Sequence, residues 1–267
     1  MKTWKIFLSV GIVAFVIGLA VLITGLALNG WKIGANLEMT TFTSEQDNNT
    51  LDLSLAAGEL NVEYHDGENF TVDYPEAYLY RYRVTESNGV LKVEPASKRI
   101  YISWSGWLWG RNKPVVTVRI PRGKIVNLNI GVAAGIANVA AGEYGNVNID
   151  LSAGQLYAGD IKCANFAASL SAGSAQFKGV ECNVCEFELS AGNASVSALK
   201  SDKIDVDLSA GTANLAVTGN KAEYVIKVDK SAGSCNVSDQ LISPDVTAIK
   251  YLNIDLSAGT VNVTFSG

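Results

Sequence analysis

The chain is predicted to be all-β: a single right-handed parallel β-solenoid of ~19-residue coils, preceded by one transmembrane helix. Three observations predict it. Ser-Ala-Gly returns at 152–154, 171–173, 190–192, 209–211, 231–233 and 257–259, with Ala-Ala-Gly at 133–135 and 56–58. From Gly135 through Gly154, Gly173 and Gly192 to Gly211 every step is 19 residues; the steps to Gly233 and Gly259 are 22 and 26. Around each glycine, apolar and polar residues alternate with a period of two. Third, residues 6–28 run without a charge.

Each coil reads as strand, glycine corner, strand, second corner. Before the glycine the inward residues are Ile149 and Leu151, Ala168 and Leu170, Phe187 and Leu189, Val206 and Leu208, Ile254 and Leu256. After it come Leu60 and Val62, Ala137 and Val139, Leu156 and Ala158, and their counterparts to Val261 and Val263. Gly58, Gly135, Gly154, Gly173, Gly192, Gly211, Gly233 and Gly259 are the repeat corners, where a positive φ costs glycine nothing. One such coil cannot bury its apolar edge alone. Stacked at ~4.8 Å on the next, it pairs its backbone and joins a continuous core. Three residues after the glycines stand Asn61, Asn138, Asn214, Asn236 and Asn262, an outward amide ladder with Tyr157, Gln176 and Ser195 between.

In chain order, residues 1–5 form a basic start, and 6–28 are long enough to cross a ~30 Å hydrocarbon core as an uncleaved signal anchor. Trp4 and Trp31 bracket the run, and Lys2 and Lys5 place the N-terminus in the cytoplasm and the rest outside. Residues 29–50 read as a linker, with a polar end that has nothing to bury. The repeat domain spans 51–267: divergent coils with a Trp-rich hairpin over 51–125, then regular Ser-Ala-Gly coils over 126–267. No capping helix follows the last coil, so that end reads as a pairing edge.

Charge is unevenly laid out. Residues 33–80 hold ten acids and no Lys or Arg; residues 81–124 hold ten basic residues and two acids. The basic strands can lie beside the acidic segment. Trp104, Trp107 and Trp109 stand close to Arg111 and Lys113, an aromatic and cationic tip suited to a membrane surface, cell-wall polymer or glycan. The other reading is a hairpin whose tryptophans fold back and cap the solenoid.

Catalytic patterns are missing. His65 is the single histidine, so neither a zinc site nor a His-centred triad can be assembled, and no phosphate- or dinucleotide-binding motif occurs. No cofactor, metal or nucleic-acid partner is expected. Glu188, Asp207 and Asp229 each stand four residues before their glycines, an acidic column whose outward side chains diverge and read as a solvated face. Cys163 and Cys182 are 19 apart, hence in one column on adjacent coils and within disulfide reach. Either they are bonded, or all four cysteines are reduced core thiols.

The segment from Val116 to Ile130, VTVRIPRGKIVNLNI, leading into DLSAG-type coils behind one N-terminal membrane helix, resembles a bacterial family of adhesin candidates. These are β-strand-repeat proteins of unknown function, the LiaG-like envelope proteins. The resemblance covers about residues 50–267 and implies a β-solenoid on the outer face of a Gram-positive-type membrane. It carries over no catalytic residue. The expected role is a non-catalytic adhesion or envelope-associated module facing a wall polymer, glycan or envelope protein. The alternatives are a regulatory partner of an envelope-stress sensor and, third, a polysaccharide-active enzyme.

Overall fold

The computed structural model describes residues 38–76, 81–96, 114–237 and 249–266. The expected transmembrane helix and the Trp-rich tip fall outside these residues. Among the described residues no helix is long and apolar enough to cross a membrane.

In chain order the strands are β1 (Glu38–Thr43), β2 (Thr50–Leu55), β3 (Gly58–His65), β4 (Thr71–Glu76), β5 (Tyr82–Ser87), β6 (Val90–Pro95) and β7 (Val115–Pro121). There follow β8 (Asn127–Val139), β9 (Gly142–Glu143), β10 (Asn146–Lys162), β11 (Asn165–Leu208), β12 (Gly211–Thr218), β13 (Tyr224–Lys230), β14 (Ser234–Val237), β15 (Lys250–Leu256) and β16 (Thr260–Ser266). Strands β8 and β10 continue through one glycine corner and each supplies both arms of a coil, while β11 passes through Gly173 and Gly192 and supplies two coils and the first arm of a third.

The stacking is parallel and in register. Asn146 pairs Asn165, Ile149 pairs Ala168 and Gly154 pairs Gly173, a constant offset of 19 between β10 and β11. The same offset relates β8 to β10 and, from Gly192 to Val196, β11 to β12, before an irregularity sets Leu199 against Val217. Like therefore lies over like, and the inward residues merge into one apolar core. Leu51, Leu128, Ile149, Phe187, Leu208 and Leu256 are fully enclosed. Each such side chain contributes about 1.5–3 kcal/mol on removal from water. Phe166 meets Phe177 edge-on at 5.1 Å and Phe187 at 5.6 Å, filling the middle of the rod. A short third side, unforeseen in the two-armed coil, pairs Asp160–Lys162 with Gly179–Glu181 and Gly142–Glu143 with Ile161–Lys162.

The corners explain the glycines. At Gly154, φ is +139°, and a Cβ built there would meet the carbonyl oxygen of Gly135 at 2.1 Å. Backbone from the neighbouring coil occupies the space a side chain needs. Gly192 differs: its φ is not positive, and its Cβ would stand 2.9 Å from the Gly173 oxygen.

Chain order and stacking order part company at both ends. Gly58 stacks directly on Gly135, and Asn61 bonds Asn138 across a separation of 77 residues. The residues between do not enter the stack as successive coils. Instead β6 and β7 form one further parallel coil outside β2 and β3. Beyond it β5, β4 and β1 run antiparallel. Over the described part of 51–125 there is thus one further parallel coil and then an antiparallel cap. Within the linker expected over 29–50, the described residues include a strand, which corrects that reading from residue 38 on. Strand β1 pairs β4, and Ser44 and Asn48 are buried, because Asn48 donates to Ser44 Oγ at 2.9 Å and to Glu86 at 2.8 Å. Local polarity concealed a strand that pairs through its backbone and through the Thr40 and Thr41 hydroxyls, which donate to Glu76 and Asp73.

The two charge blocks meet here. Arg119 bonds Asp73 at 2.6 Å and Lys124 bonds Asp47 at 2.6 Å. Arg122 reaches Asp66 at 2.6 Å and Lys92 lies 3.7 Å from Asp52.

Candidate functional site

The five residues of the expected tip, Trp104, Trp107, Trp109, Arg111 and Lys113, lie outside the described residues. Their point of attachment is described. Glu59 pairs Val115, and the Glu59 N–H donates to the Pro114 carbonyl at 2.8 Å. A Cβ on Gly58 would meet that same oxygen at 2.3 Å. Pro114 therefore occupies, one coil outside Gly58, the rung that glycine holds elsewhere. The Trp-rich sequence enters the chain at the corner of the outer coil, between β6 and β7.

The outer face carries polar columns. Asn138 donates to Asn61 at 2.8 Å at one end of the rod. At the other end Asn262 donates to Asn214 at 2.8 Å and Asn236 to Asn262 at 2.9 Å. The expected ladder is thus two ladders, separated by Tyr157, Gln176 and Ser195. A third, Asn127–Asn146–Asn165, with amide bonds of 3.1 and 2.8 Å, escaped the sequence reading. Its signal was present: three asparagines at 19-residue spacing, ahead of the alternating run and not after the glycine.

Toward the C-terminal end a shallow groove of about 390 Å³ is lined by Glu186, Glu188, Asp205, Asp207, Asp229 and Asp255, with Lys227 and Asn253. Asp255 pairs both Asp207 and Asp229, so the acidic column runs Glu188, Asp207, Asp255, Asp229. The expected direct succession of Asp207 and Asp229 is corrected, because the later coil inserts between them. Stacked like charges cost about 0.2–1 kcal/mol a pair. Beside this column the charges are answered: Lys203 bonds Asp205 at 2.6 Å and Asn253 donates to it at 2.7 Å. Burial pushes the Asp205 carboxyl up, but these donors and the Lys203 charge outweigh it and hold it low. Among the described residues no three His, Cys, Asp or Glu side chains converge as metal ligands.

Cys163, Cys182 and Cys185 are buried free thiols, and Cys235 is a half-buried one. Cys163 follows Lys162, which pairs Glu181, so Cys163 and Cys182 share a column as expected. They stand as thiols here, not as a bond. Hydrogen bonds from Cys163 and Cys185 favour the Cys182 thiolate, whereas Cys163 is pushed up by its bond to Cys182 and by burial. His65 is the last residue of β3, paired with Pro121, and its Nε2 lies 2.9 Å from the Asn69 carbonyl.

A family model described as Toastrack DUF4097 matches residues 48–264. No curated protein matches the chain. Among solved structures the chain is similar to an adhesin candidate from Bacteroides fragilis, at 12% identity and a TM-score of 0.45, covering 85% of this chain and 96% of that one. An adhesin candidate from Parabacteroides merdae is similar at 11% identity and TM-score 0.40, covering 88% and 98%. A cell-adhesion candidate from Clostridium sporogenes is similar at 13% identity and TM-score 0.36, covering 86% and 100%.

Proposed function

This chain belongs to the Toastrack DUF4097 family, and on that footing we propose that it is a non-catalytic binding module of the cell envelope. In this reading residues 6–28 anchor it in the membrane, and the stack, wound right-handed as parallel crossovers favour, lies outside. Its ligand contact is the sequence containing Trp104, Trp107, Trp109, Arg111 and Lys113. The ligand is a wall polymer offering sugar rings to the indoles and negative charge to the cations.

The observation that carries the reading is the position of Pro114 on the rung outside Gly58. The insertion interrupts the outer coil at a corner and leaves the paired arms β6 and β7 intact. The columns on the rod's flanks support the same reading. They repeat side chains at one spacing with their polar groups turned outward, which suits a scaffold better than a reaction site.

The test replaces the three tryptophans with alanine in the full chain and measures co-sedimentation with isolated wall polymer and, separately, with liposomes. Loss of polymer binding with unchanged unfolding is expected. Retained binding with lowered stability would instead make the tryptophans a cap, and loss confined to liposomes would make the ligand a lipid surface.

A further inference from the structure

At the opposite end of the stack the outermost coil is formed by β13 and β14. Among the described residues β13 pairs only β15, and β14 pairs only β16. One edge of each strand therefore has no ladder partner among the described residues. The inward side chains at this end are incompletely covered. Val228 is 43% exposed, whereas its partner one coil in, Ile254, is 2% exposed. Ile226, Cys235 and Val237 are likewise only partly buried, while their partners Leu252, Val261 and Val263 are enclosed. On the outer face Val225 and its neighbour Tyr251 are 41% and 49% exposed. An open edge with apolar residues behind it is a pairing surface.

We propose that this edge binds a second copy of the same chain, with β13 pairing antiparallel to the partner's β13 about a two-fold axis at Val228. The charges select both the occupant and the register. Strand β13 reads Tyr-Val-Ile-Lys-Val-Asp-Lys, with Lys227 and Asp229 on the outer face either side of Val228. A two-fold centred on Val228 sets each Lys227 opposite an Asp229 of the other copy, twice over, and Val228 against Val228. Centring on Lys227 would oppose lysine to lysine, and centring on Asp229 would oppose aspartate to aspartate. A shift by one residue would turn inward side chains outward. Of the registers that keep the pleat, this one alone sets Lys227 opposite Asp229 within β13, and it is self-complementary, as a two-fold interface requires. Among the described residues no ion pair engages Lys227 or Asp229 within the chain, so both are available. Pairing would continue the sheet across the junction, cover Ile226 and Val228, and join two rods end to end. The inference is independent of the tryptophan sequence, whose flanking residue Pro114 lies at the other end of the stack.

The test is sedimentation of the full chain in a non-ionic detergent, comparing wild type, Lys227→Asp, Asp229→Lys and the double variant. Both side chains are on the outer face, so the fold tolerates the changes; circular dichroism checks this. Wild type and the double variant are expected to sediment as dimers and each single variant as a monomer. Mixing the two single variants is expected to restore a dimer, since one then offers two acids and the other two lysines. A monomeric wild type, whether the edge is covered by its own chain or by another protein, would overturn the proposal. So would a dimer indifferent to all four sequences, which would assign association to another surface such as the anchor.

Discussion

Gly259 stacks on Gly211, 48 residues earlier in the chain and not its neighbour in sequence; a Cβ on Gly259 would meet the Gly211 carbonyl oxygen at 2.5 Å. The intervening corner, Gly233, lies on the far side of Gly259, with its own Cβ position 2.4 Å from the Gly259 oxygen. The last coil of the sequence is therefore the penultimate coil of the rod.

This order makes residues 220–248 a 29-residue insertion into an otherwise 19-residue period. Deleting them should restore the common spacing, leave β12 against β16, and keep one cooperative urea transition by circular dichroism. Deleting 29 residues from the regular region, such as 156–184, shifts the register and should abolish that transition. Equal damage from both deletions would refute the inverted order.

The corners should rank by geometry. Gly154→Ala meets both a φ of +139° and the Gly135 backbone, and is expected to cost about 3 kcal/mol or more. Gly192→Ala, with no positive φ and a looser contact, should cost about 1 kcal/mol. Urea midpoints of the two variants decide the ranking.

The shared column of Cys163 and Cys182 predicts a disulfide when the chain meets a low-molecular-weight disulfide. The Cys182 thiolate attacks oxidised glutathione and releases one glutathione thiolate; the Cys163 thiol, losing its proton, then displaces the second. Non-reducing tryptic mapping should join peptide 163–178 to 179–200, and Cys182→Ser should remove the link. Four thiols unchanged after prolonged exposure would count against it.

Acid should loosen the antiparallel cap. Burial raises the Asp73 carboxyl, but the Thr41 hydroxyl and the Arg119 guanidinium outweigh it, so its folded pKa lies below the unfolded one. The stabilisation is present above the ordinary aspartate pKa, about 3.9, and is lost as pH falls through the depressed value. Asp73→Asn should cost about 1–2 kcal/mol at neutral pH and flatten the stability profile below about pH 4. Urea midpoints across pH, wild type against variant, measure both.

What was readable in the chain was whatever repeats. Fixed glycine spacing with alternating Leu, Ile and Val points to parallel stacking, because parallel in-register strands keep the same residue classes over one another from repeat to repeat. What was unreadable was which coil sits beside which. Gly211 could stack as well on Gly233 as on Gly259, since both follow Ser-Ala and are flanked by the same residue classes. The antiparallel cap was hidden for a related reason. Strand β1 draws its place from hydrogen bonds to β4 and from Asn48 against Glu86, partners that no local pattern names. The thiol column was visible because it is itself a repeat spacing.

Both ends of the rod arise from long detours spliced into the period, and the middle from uninterrupted copies of it. Length and terminal chemistry can therefore vary separately. Gain or loss of one whole interior unit would move the two ends apart or together by one strand spacing, about 4.8 Å, without altering either. Such a molecule is a ruler with exchangeable tips, and duplication of a single short stretch of gene suffices to set its reach.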